Sequence, residues 1–143
     1  MKTSFRRPVA ARRGPAASAA RLVAAARASR RGAYAPYSKY RVGAAVQTAD
    51  GRVFTGANVE NASFGLTICA ERAAVLAAVS AGARRLRAVA VAASGPRPPW
   101  PCGACRQVLA EFAGPRTEVH VAGAGRRVES RTLGELLPRA FRW

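Results

Sequence analysis

The chain has 143 residues, half of them apolar, which is enough for one domain with a buried core and too few for a second. Arginines interrupt every alanine-rich stretch, so no run approaches the roughly 18 apolar residues that a membrane span needs. The formal net charge is +17, from 24 basic and 7 acidic residues. The arginines are scattered among alanine, glycine and proline without interleaved aromatic residues, so nucleic acid is not expected as a partner despite this charge.

The first segment, residues 1–16, is rich in arginine and alanine, contains no acidic residue and is broken by Pro8 and Pro15. This composition predicts a disordered basic extension, with an organelle-targeting peptide as the alternative. The segment has no apolar core of the kind that directs secretion, so we expect a cytoplasmic protein. Residues 17–143 are predicted to form the folded domain.

The pattern of apolar and turn residues predicts, in chain order, a helix at 17–30, two hairpin strands at 40–48 and 52–56, a loop at 58–67, a helix at 69–81, a strand at 86–93, a helix at 102–113, a strand at 118–122 and a short helix at 132–137. Ser18 is the expected N-cap of the first helix, and Asp50-Gly51 is the expected hairpin turn. Gly82 and Gly114-Pro115 are expected to end the second and third helices. A hairpin followed by strands that alternate with helices implies an α/β fold, a three-layer α-β-α sandwich with a mixed sheet.

The three cysteines form the most informative pattern in the sequence. Cys69 opens one predicted helix, and Cys102 and Cys105 open another in a Cys-x-x-Cys spacing. A thiolate at a helix N-terminus is stabilised by the helix dipole and by free backbone N–H groups, which favours the ionised form that a metal needs. An odd number of cysteines in this spacing argues against disulfides and predicts a Zn²⁺ site.

Three cysteine ligands leave a fourth position for water, as in catalytic zinc sites, whereas structural sites are closed by four protein ligands. The one candidate for a fourth ligand is His120, the sole histidine, which would make the site structural. Its position between two valines of a predicted strand favours an ordinary strand side chain. The sequence therefore favours a catalytic metal.

Charged residues follow the cysteine ligands directly. Glu71 lies two residues after Cys69, so its carboxyl can point into the same pocket without binding metal and can shuttle a proton there. Three thiolates on Zn²⁺ carry a net negative charge, which weakens the metal as a Lewis acid unless something offsets it. Arg72 and Arg106 directly follow the ligand motifs, and both are expected to donate hydrogen bonds to thiolate sulfur and so offset this charge.

Five segments with these residues resemble the small homotetrameric cytidine deaminases. They span most of the chain from residue 17 to 141 in the family's order and are Tyr34-Ala-Pro-Tyr-Ser-Lys-Tyr-Arg-Val-Gly-Ala-Ala45, Asn58-Val-Glu-Asn61, Cys69-Ala-Glu-Arg72, Pro101-Cys-Gly-Ala-Cys-Arg-Gln107 and Leu136-Leu-Pro-Arg-Ala-Phe141. The Cys-x-Glu and Pro-Cys-x-x-Cys pair is shared by zinc deaminases in general. The five segments together indicate the free-nucleoside branch.

The resemblance implies a cytidine-deaminase-like fold and the hydrolysis of cytidine and deoxycytidine to uridine and deoxyuridine, with release of ammonia. One Zn²⁺ per subunit would be held by Cys69, Cys102 and Cys105 and would activate a water that attacks C4 of the pyrimidine. Glu71 would take the proton of that water and pass it to N3 and to the departing amine.

The resemblance also implies the groups that bind the substrate. The backbone N–H of Ala70 would hold the 2-carbonyl of the base, Asn58 and Glu60 would bind the sugar, chiefly its 3′-hydroxyl, and Tyr40 would line the pocket. Phe141 would lean on the base of a neighbouring subunit's substrate, so a homotetramer with shared pockets is expected. Tyr40 departs from the phenylalanine that is common in the family, as Phe64 departs from a frequent tyrosine, but both positions keep an aromatic ring.

Three other interpretations remain at this point. A nucleic-acid-editing deaminase would use the positive charge, but Glu60 would then meet a phosphodiester where a hydroxyl is expected. A deaminase of a cytosine-nucleoside antibiotic such as blasticidin S would share the zinc motifs but would not be expected to keep Asn58-x-Glu60-Asn for a ribose. A non-catalytic, zinc-stabilised RNA-binding module would have no need of Glu71.

Overall fold

The computed structural model describes residues 16–143 and contains a mixed five-stranded sheet in the order β2-β1-β3-β4-β5. The elements are α1 (Ala19–Ser29), β1 (Val42–Thr48), β2 (Val53–Ala57), α2 (Ala70–Ser80), β3 (Leu86–Ala93), α3 (Gly103–Phe112), β4 (Ala113–Ala122), β5 (Val128–Thr132) and α4 (Leu133–Leu136). β3 and β4 are parallel, and the other neighbouring strands are antiparallel. Within residues 16–143, no helix has the length and apolar character to cross a membrane.

Alternate residues of the central strands point to opposite faces of the sheet and build two separate cores. One face is lined by small residues, Ala45, Ala88, Ala90 and Ala92, on which α1 packs with Leu22, Val23 and Ala26. The other face is lined by Val46, Val89, Val91, Val119 and Val121 and is covered by α2, α3 and α4. The predicted three-layer α-β-α sandwich is therefore confirmed.

The N-terminal half follows the prediction closely. Ser18 caps α1 by accepting a hydrogen bond from the N–H of Arg21 at 3.3 Å, and the Asp50-Gly51 turn joins β1 and β2 in an antiparallel hairpin. β1 begins two residues later than predicted, at Val42, because Lys39 has a left-handed φ of 59° and the N–H of Tyr40 bonds to the Ser38 hydroxyl instead of a neighbouring strand.

The C-terminal half differs from the prediction in two places. α3 passes straight into β4 at Ala113, so Gly114-Pro115 lies within the first part of a long strand and is not a separate turn. The sequence prediction also missed β5, whose residues Val128–Thr132 are mostly polar and only partly buried. This edge strand is held by backbone pairing with β4, and such pairing leaves little trace in an apolar pattern.

Gly56 in β2 allows α2 to lie directly against the sheet. A Cβ at this position would stand 2.4 Å from the backbone nitrogen of Ala74, 2.7 Å from the Ala73 Cβ and 2.8 Å from the Ala70 carbonyl oxygen. These distances are far below van der Waals contact, and two of the three atoms belong to the helix backbone, which cannot rotate away. The absence of a side chain at Gly56 therefore sets the position of α2.

We expect Gly56→Ala to destabilise the fold by about 1–3 kcal/mol, the usual cost of overpacking, and to lower the zinc content because α2 must shift. Urea unfolding and metal analysis of the purified protein measure the two effects. Gly65→Ala is the matched control, since nothing lies within 4 Å of the added methyl group. Equal stability of the two variants would contradict this explanation of the packing.

The expectation that residues 1–16 form a disordered basic extension falls almost entirely on residues 1–15, which lie outside the described part of the chain.

Candidate metal and catalytic site

Two helices begin at the same place above the valine-lined face of the sheet and bring the three cysteines together. Cys69 is the N-cap of α2, Cys102 is the N-cap of α3, and Cys105 lies in the first turn of α3. The three sulfur atoms lie within 4.8 Å of one another, and the Sγ atoms of Cys69 and Cys102 are 4.0 Å apart. Tetrahedral zinc with bonds of about 2.3 Å to sulfur places its ligands about 3.8 Å apart, so the cluster fits the ion.

Two of the three thiols, those of Cys69 and Cys105, have pKa values shifted in opposite directions. The pKa of Cys69 falls to about 5, chiefly because the Cys105 thiol donates a hydrogen bond to it, with Arg72 acting in the same direction. The pKa of Cys105 is raised, because it is the donor to Cys69 and is buried. A divalent cation removes this conflict by allowing all three sulfurs to be thiolates, which is the chemistry expected of this donor set.

Arg72 faces the thiolates as predicted. One of its terminal nitrogens donates to the Thr67 carbonyl oxygen at 2.8 Å and lies 3.7 Å from the Cys69 sulfur. Its Nε is buried and has no hydrogen-bond partner within residues 16–143. A guanidinium beside sulfur offsets negative charge on the cluster, and ionised thiolates would give it a further acceptor.

Arg106 does not do what the sequence predicted. Its guanidinium donates to two backbone oxygens, through Nε to Pro101 at 2.6 Å and through Nη1 to Leu136 at 2.9 Å, and not to sulfur. It thereby ties the segment just before Cys102 to α4. The expectation of a thiolate contact is corrected: Arg106 supports the ligand loop from outside.

Glu71 is buried, with 5% of its surface exposed, beside the cysteine cluster. Burial raises its pKa to about 7, and the nearby Cys69 thiolate acts in the same direction, while its own backbone N–H partly offsets the shift by hydrogen bonding. A carboxyl group that can hold or release a proton near neutrality has the property required of a proton shuttle.

A cavity of about 230 Å³ opens onto Glu71 and brings together most of the predicted site residues. Its lining comprises Ser38, Tyr40, Val42, Asn58, Glu60, Thr67, Cys69, Ala70, Glu71, Val91, Pro99, Trp100 and Cys102. Two of the three predicted ligands, Cys69 and Cys102, therefore face one space together with the acid and the sugar-binding pair, while Cys105 lies buried behind them.

Asn58 is nearly buried at one side of this cavity. Its side-chain oxygen accepts from the Val42 N–H at 2.8 Å, and its amide nitrogen donates to the Tyr40 carbonyl at 2.9 Å. An amide side chain has two donor hydrogens and two acceptor lone pairs, so one of each remains for a ligand. Asn58 thus fixes the start of β1 and can also meet a sugar hydroxyl.

Glu60 is held by the loop that precedes β1. Its carboxylate accepts from the backbone N–H of Tyr37 at 2.9 Å and of Ser38 at 3.2 Å, and also from the Ser38 hydroxyl. These bonds, led by that of the hydroxyl, lower the pKa of Glu60. The carboxylate is therefore ionised at neutral pH, partly exposed and fixed in direction.

Two aromatic residues, Tyr40 and Trp100, line the cavity, and the sequence analysis did not single out the second. The Tyr40 ring lies against Gly95, where an added Cβ would stand 2.9 Å from its Cε2, and burial followed by the charge of Glu71 raises the Tyr40 pKa. Trp100 and Pro99 were not singled out from the sequence. The available signal was their position in the run Pro99-Trp-Pro directly before Cys102, which ties them to a ligand.

Phe141 lies outside this cavity. Its side chain is 71% exposed, and its carbonyl oxygen accepts from the Gln107 side chain at 2.9 Å, which attaches the C-terminal segment to α3. An exposed ring at this position has no contact with its own pocket. A role for Phe141 in another subunit's pocket stays a prediction.

His120 does not belong to the metal site. It pairs in register with Ala90, whose side chain packs under α1, whereas its neighbours Val119 and Val121 line the face that carries the cysteines. Its Nδ1 lies 2.7 Å from the Ser130 hydroxyl, and its Nε2 lies 3.8 Å from the Glu118 carboxylate. A structural zinc closed by His120 is excluded by this geometry.

The burial of His120 predicts a pH effect on stability. Burial lowers its pKa, although Glu118 opposes the shift. The unfolded chain therefore binds a proton at His120 more readily than the folded chain does. The stability that neutral His120 contributes to the fold is fully present above the ordinary histidine pKa of about 6.5 and is lost as the pH falls through the lowered value. We expect the melting temperature of the wild type to fall more between pH 8 and 5.5 than that of His120→Gln, which lacks the titration. Parallel pH profiles would contradict this expectation.

Comparison with known proteins identifies close relatives. A family model described as the cytidine and deoxycytidylate deaminase zinc-binding region matches residues 17–121. The chain is 50% identical over 120 residues to the cytidine deaminase of Halalkalibacterium halodurans, covering 84% of this chain and 91% of that protein. It is 50% identical over 110 residues to the cytidine deaminase of Mycobacterium tuberculosis, covering 77% and 79% respectively.

A solved structure supports the same assignment. The crystal structure of cytidine deaminase from Burkholderia pseudomallei superposes with a TM-score of 0.83 at 48% identity, covering 87% of this chain and 100% of that one. Together with the cluster of three cysteines, the match to a zinc-binding region confirms zinc as the metal.

Proposed function

Because this chain belongs to the cytidine and deoxycytidylate deaminase family, we propose that it hydrolyses the 4-amino group of cytidine and deoxycytidine, giving uridine and deoxyuridine with ammonia. The observation that carries the proposal is the position of Glu71, a buried carboxyl beside three cysteines in a cavity that also holds Asn58 and Glu60. An acid, a metal site and sugar-binding groups are the parts that this hydrolysis requires.

Zinc held by Cys69, Cys102 and Cys105 supplies a Lewis acid that activates water at neutral pH. Glu71 accepts the proton of the attacking water, delivers it to N3 of the pyrimidine and then assists the departing amine. Its burial keeps competing water away from the carboxyl, and its place in the first turn of α2 keeps it next to the ligands. Arg72 offsets the negative charge of the sulfurs.

The base and the sugar are held by different groups. Ala70 is the first residue of α2, so its N–H has no acceptor within the helix and can donate to the 2-carbonyl of the base. Asn58 offers its remaining donor and acceptor to the sugar, and the fixed carboxylate of Glu60 accepts from a hydroxyl. A free nucleoside suits this carboxylate, because a phosphodiester at the same place would meet a like charge.

The oligomeric state and the compartment are parts of the same proposal. We expect a homotetramer in which Phe141 of one subunit completes the pocket of another, since the ring is exposed and lies outside its own cavity. We expect a cytoplasmic enzyme of pyrimidine salvage, and the three free thiols in the described part of the chain suit a reducing compartment.

Ultraviolet absorbance tests the activity directly. Purified protein is mixed with cytidine, with deoxycytidine and with a cytosine-containing single-stranded oligonucleotide, and loss of the cytosine band is followed together with ammonia release. We expect turnover of the two nucleosides only. Turnover of the oligonucleotide alone would overturn the role of Glu60 and point to the arginines as a substrate platform. Absence of all turnover by zinc-loaded protein would favour a binding module.

A further inference from the structure

The catalytic cavity and a second cavity have one side chain in common, that of Trp100. The second cavity has a volume of about 280 Å³ and lies beside α4. The rest of its lining is mostly charged and consists of Arg106, Glu129, Arg131, Glu135 and Leu136. Among the residues that the structure describes, only Trp100 lines both spaces. Trp100 therefore separates the catalytic cavity from the second, mostly charged cavity.

The backbone around Trp100 is conformationally restricted. Trp100 is preceded by Pro98-Pro99 and followed by Pro101, and each proline ring fixes its own φ. The Trp100 N–H donates to the Pro98 carbonyl at 3.0 Å, and the Pro101 carbonyl accepts from Arg106. The indole is partly buried against the main core. The backbone of Trp100 is therefore held in place, and the packing of the ring against the core opposes its displacement by a larger ligand.

The location of Trp100 relates it to one part of the substrate. Asn58 and Glu60, which bind the sugar in the proposed function, lie on the β1 and loop side of the pocket, whereas Trp100 precedes the ligand Cys102 by two residues. The pyrimidine must place C4 toward the metal, so its 4-amino group is the part that approaches the Cys102 segment. Trp100 thus lines the end of the pocket that the leaving amine would face.

We infer that the indole of Trp100 closes the amino-group end of the pocket and thereby limits the size of the substituent that a cytidine can carry on its 4-amino nitrogen. This inference rests on the proposed function and adds a specificity-determining residue to it. Removing the indole would join the pocket to the charged cavity and leave room for a larger amine.

The test compares kcat/KM for cytidine and N4-methylcytidine. Hydrolysis of the methylated substrate consumes one water and gives uridine and methylamine. We expect the wild type to prefer cytidine, and we expect Trp100→Ala to raise the ratio of N4-methylcytidine to cytidine by about tenfold or more, since one carbon in a closed pocket changes specificity by roughly 10- to 200-fold. Trp100→Phe keeps a ring in the same place and is expected to keep most of the discrimination.

The outcomes separate this inference from the proposed function. If the wild type does not deaminate cytidine at all, the proposed function fails. If the wild type deaminates cytidine and a zinc-loaded, folded Trp100→Ala protein shows an unchanged substrate ratio, the role of Trp100 fails. Melting temperature and zinc content establish that the variant is folded, and Trp100→Leu replaces it if alanine does not support the fold.

A fluorescence measurement needs no change at Trp100 itself. The chain has two tryptophans, and the other, Trp143, is fully exposed and does not line the cavity of its own chain, so Trp143→Phe leaves Trp100 as the sole reporter. Adding the product uridine at a concentration that inhibits cytidine turnover should shift or quench the remaining emission. Unchanged emission at that concentration would overturn the placement of the indole beside the base.

Discussion

Glu71→Gln protein is expected to keep its zinc and its fold while kcat for cytidine falls by a factor of about 10² to 10⁴ or more, the usual contribution of a general acid-base group. Glutamine has the size of glutamate, so the buried site stays filled, but its amide can neither accept the proton of water nor deliver one to N3. The loss should therefore appear in kcat at every pH and not in the metal content.

The matched control for this experiment is Glu111→Gln, which removes an exposed carboxylate from α3, outside the cavity lining. We expect its kcat to match that of the wild type. Zinc analysis and thermal unfolding of both variants separate a catalytic loss from a structural one. Near-normal turnover by Glu71→Gln would remove Glu71 from the mechanism and leave proton transfer to another group.

Cys102→Ala protein is expected to lose both its zinc and much of its stability. The free energy of metal binding adds to that of folding, and a free zinc concentration about 1,000 times the dissociation constant contributes about 4 kcal/mol. Loss of Cys102 removes the ligand at the N-cap of α3 and leaves two thiols that hold the metal poorly. The same result is expected at Cys69 and Cys105, and activity should disappear in all three.

Chelator treatment of the wild type provides the comparison for these variants. Metal-free wild type should melt at a temperature close to that of Cys102→Ala and should recover with added zinc, whereas the variant should not recover. Metal analysis, melting temperature and cytidine turnover are measured on the same samples. An active, zinc-free Cys102→Ala protein would refute the metal assignment.

The sequence predicts the centre of the site well, because each ligand is tied to a helix start. A cysteine just before an apolar helical run, with glutamate two residues later, is enough to assign Cys69 and Glu71 to the beginning of α2. The alternation of alanine and valine in β3 likewise separates the two faces of the sheet. A local sequence pattern is enough to predict a site residue when neighbouring residues in the same helix or strand determine its position.

The prediction fails where the partner of a residue is distant in the sequence. Arg106 follows a ligand directly, yet it bonds to the backbone of Leu136, a contact 30 positions away. β5 forms because β4 offers an unpaired edge, and the pairing joins mostly polar residues. None of these arrangements has a periodicity or a spacing that a single sequence reveals.

The two ends of the described chain are coupled to the site very differently. Arg106 ties the segment before Cys102 to α4, and Gln107 donates to the carbonyl of Phe141, so the segment around Phe141 is attached to the helix that carries two ligands. α1 lies on the far face of the sheet. A substitution in the segment around Phe141 is therefore expected to disturb the two ligands at the start of α3, whereas one in α1 acts on the opposite face of the sheet.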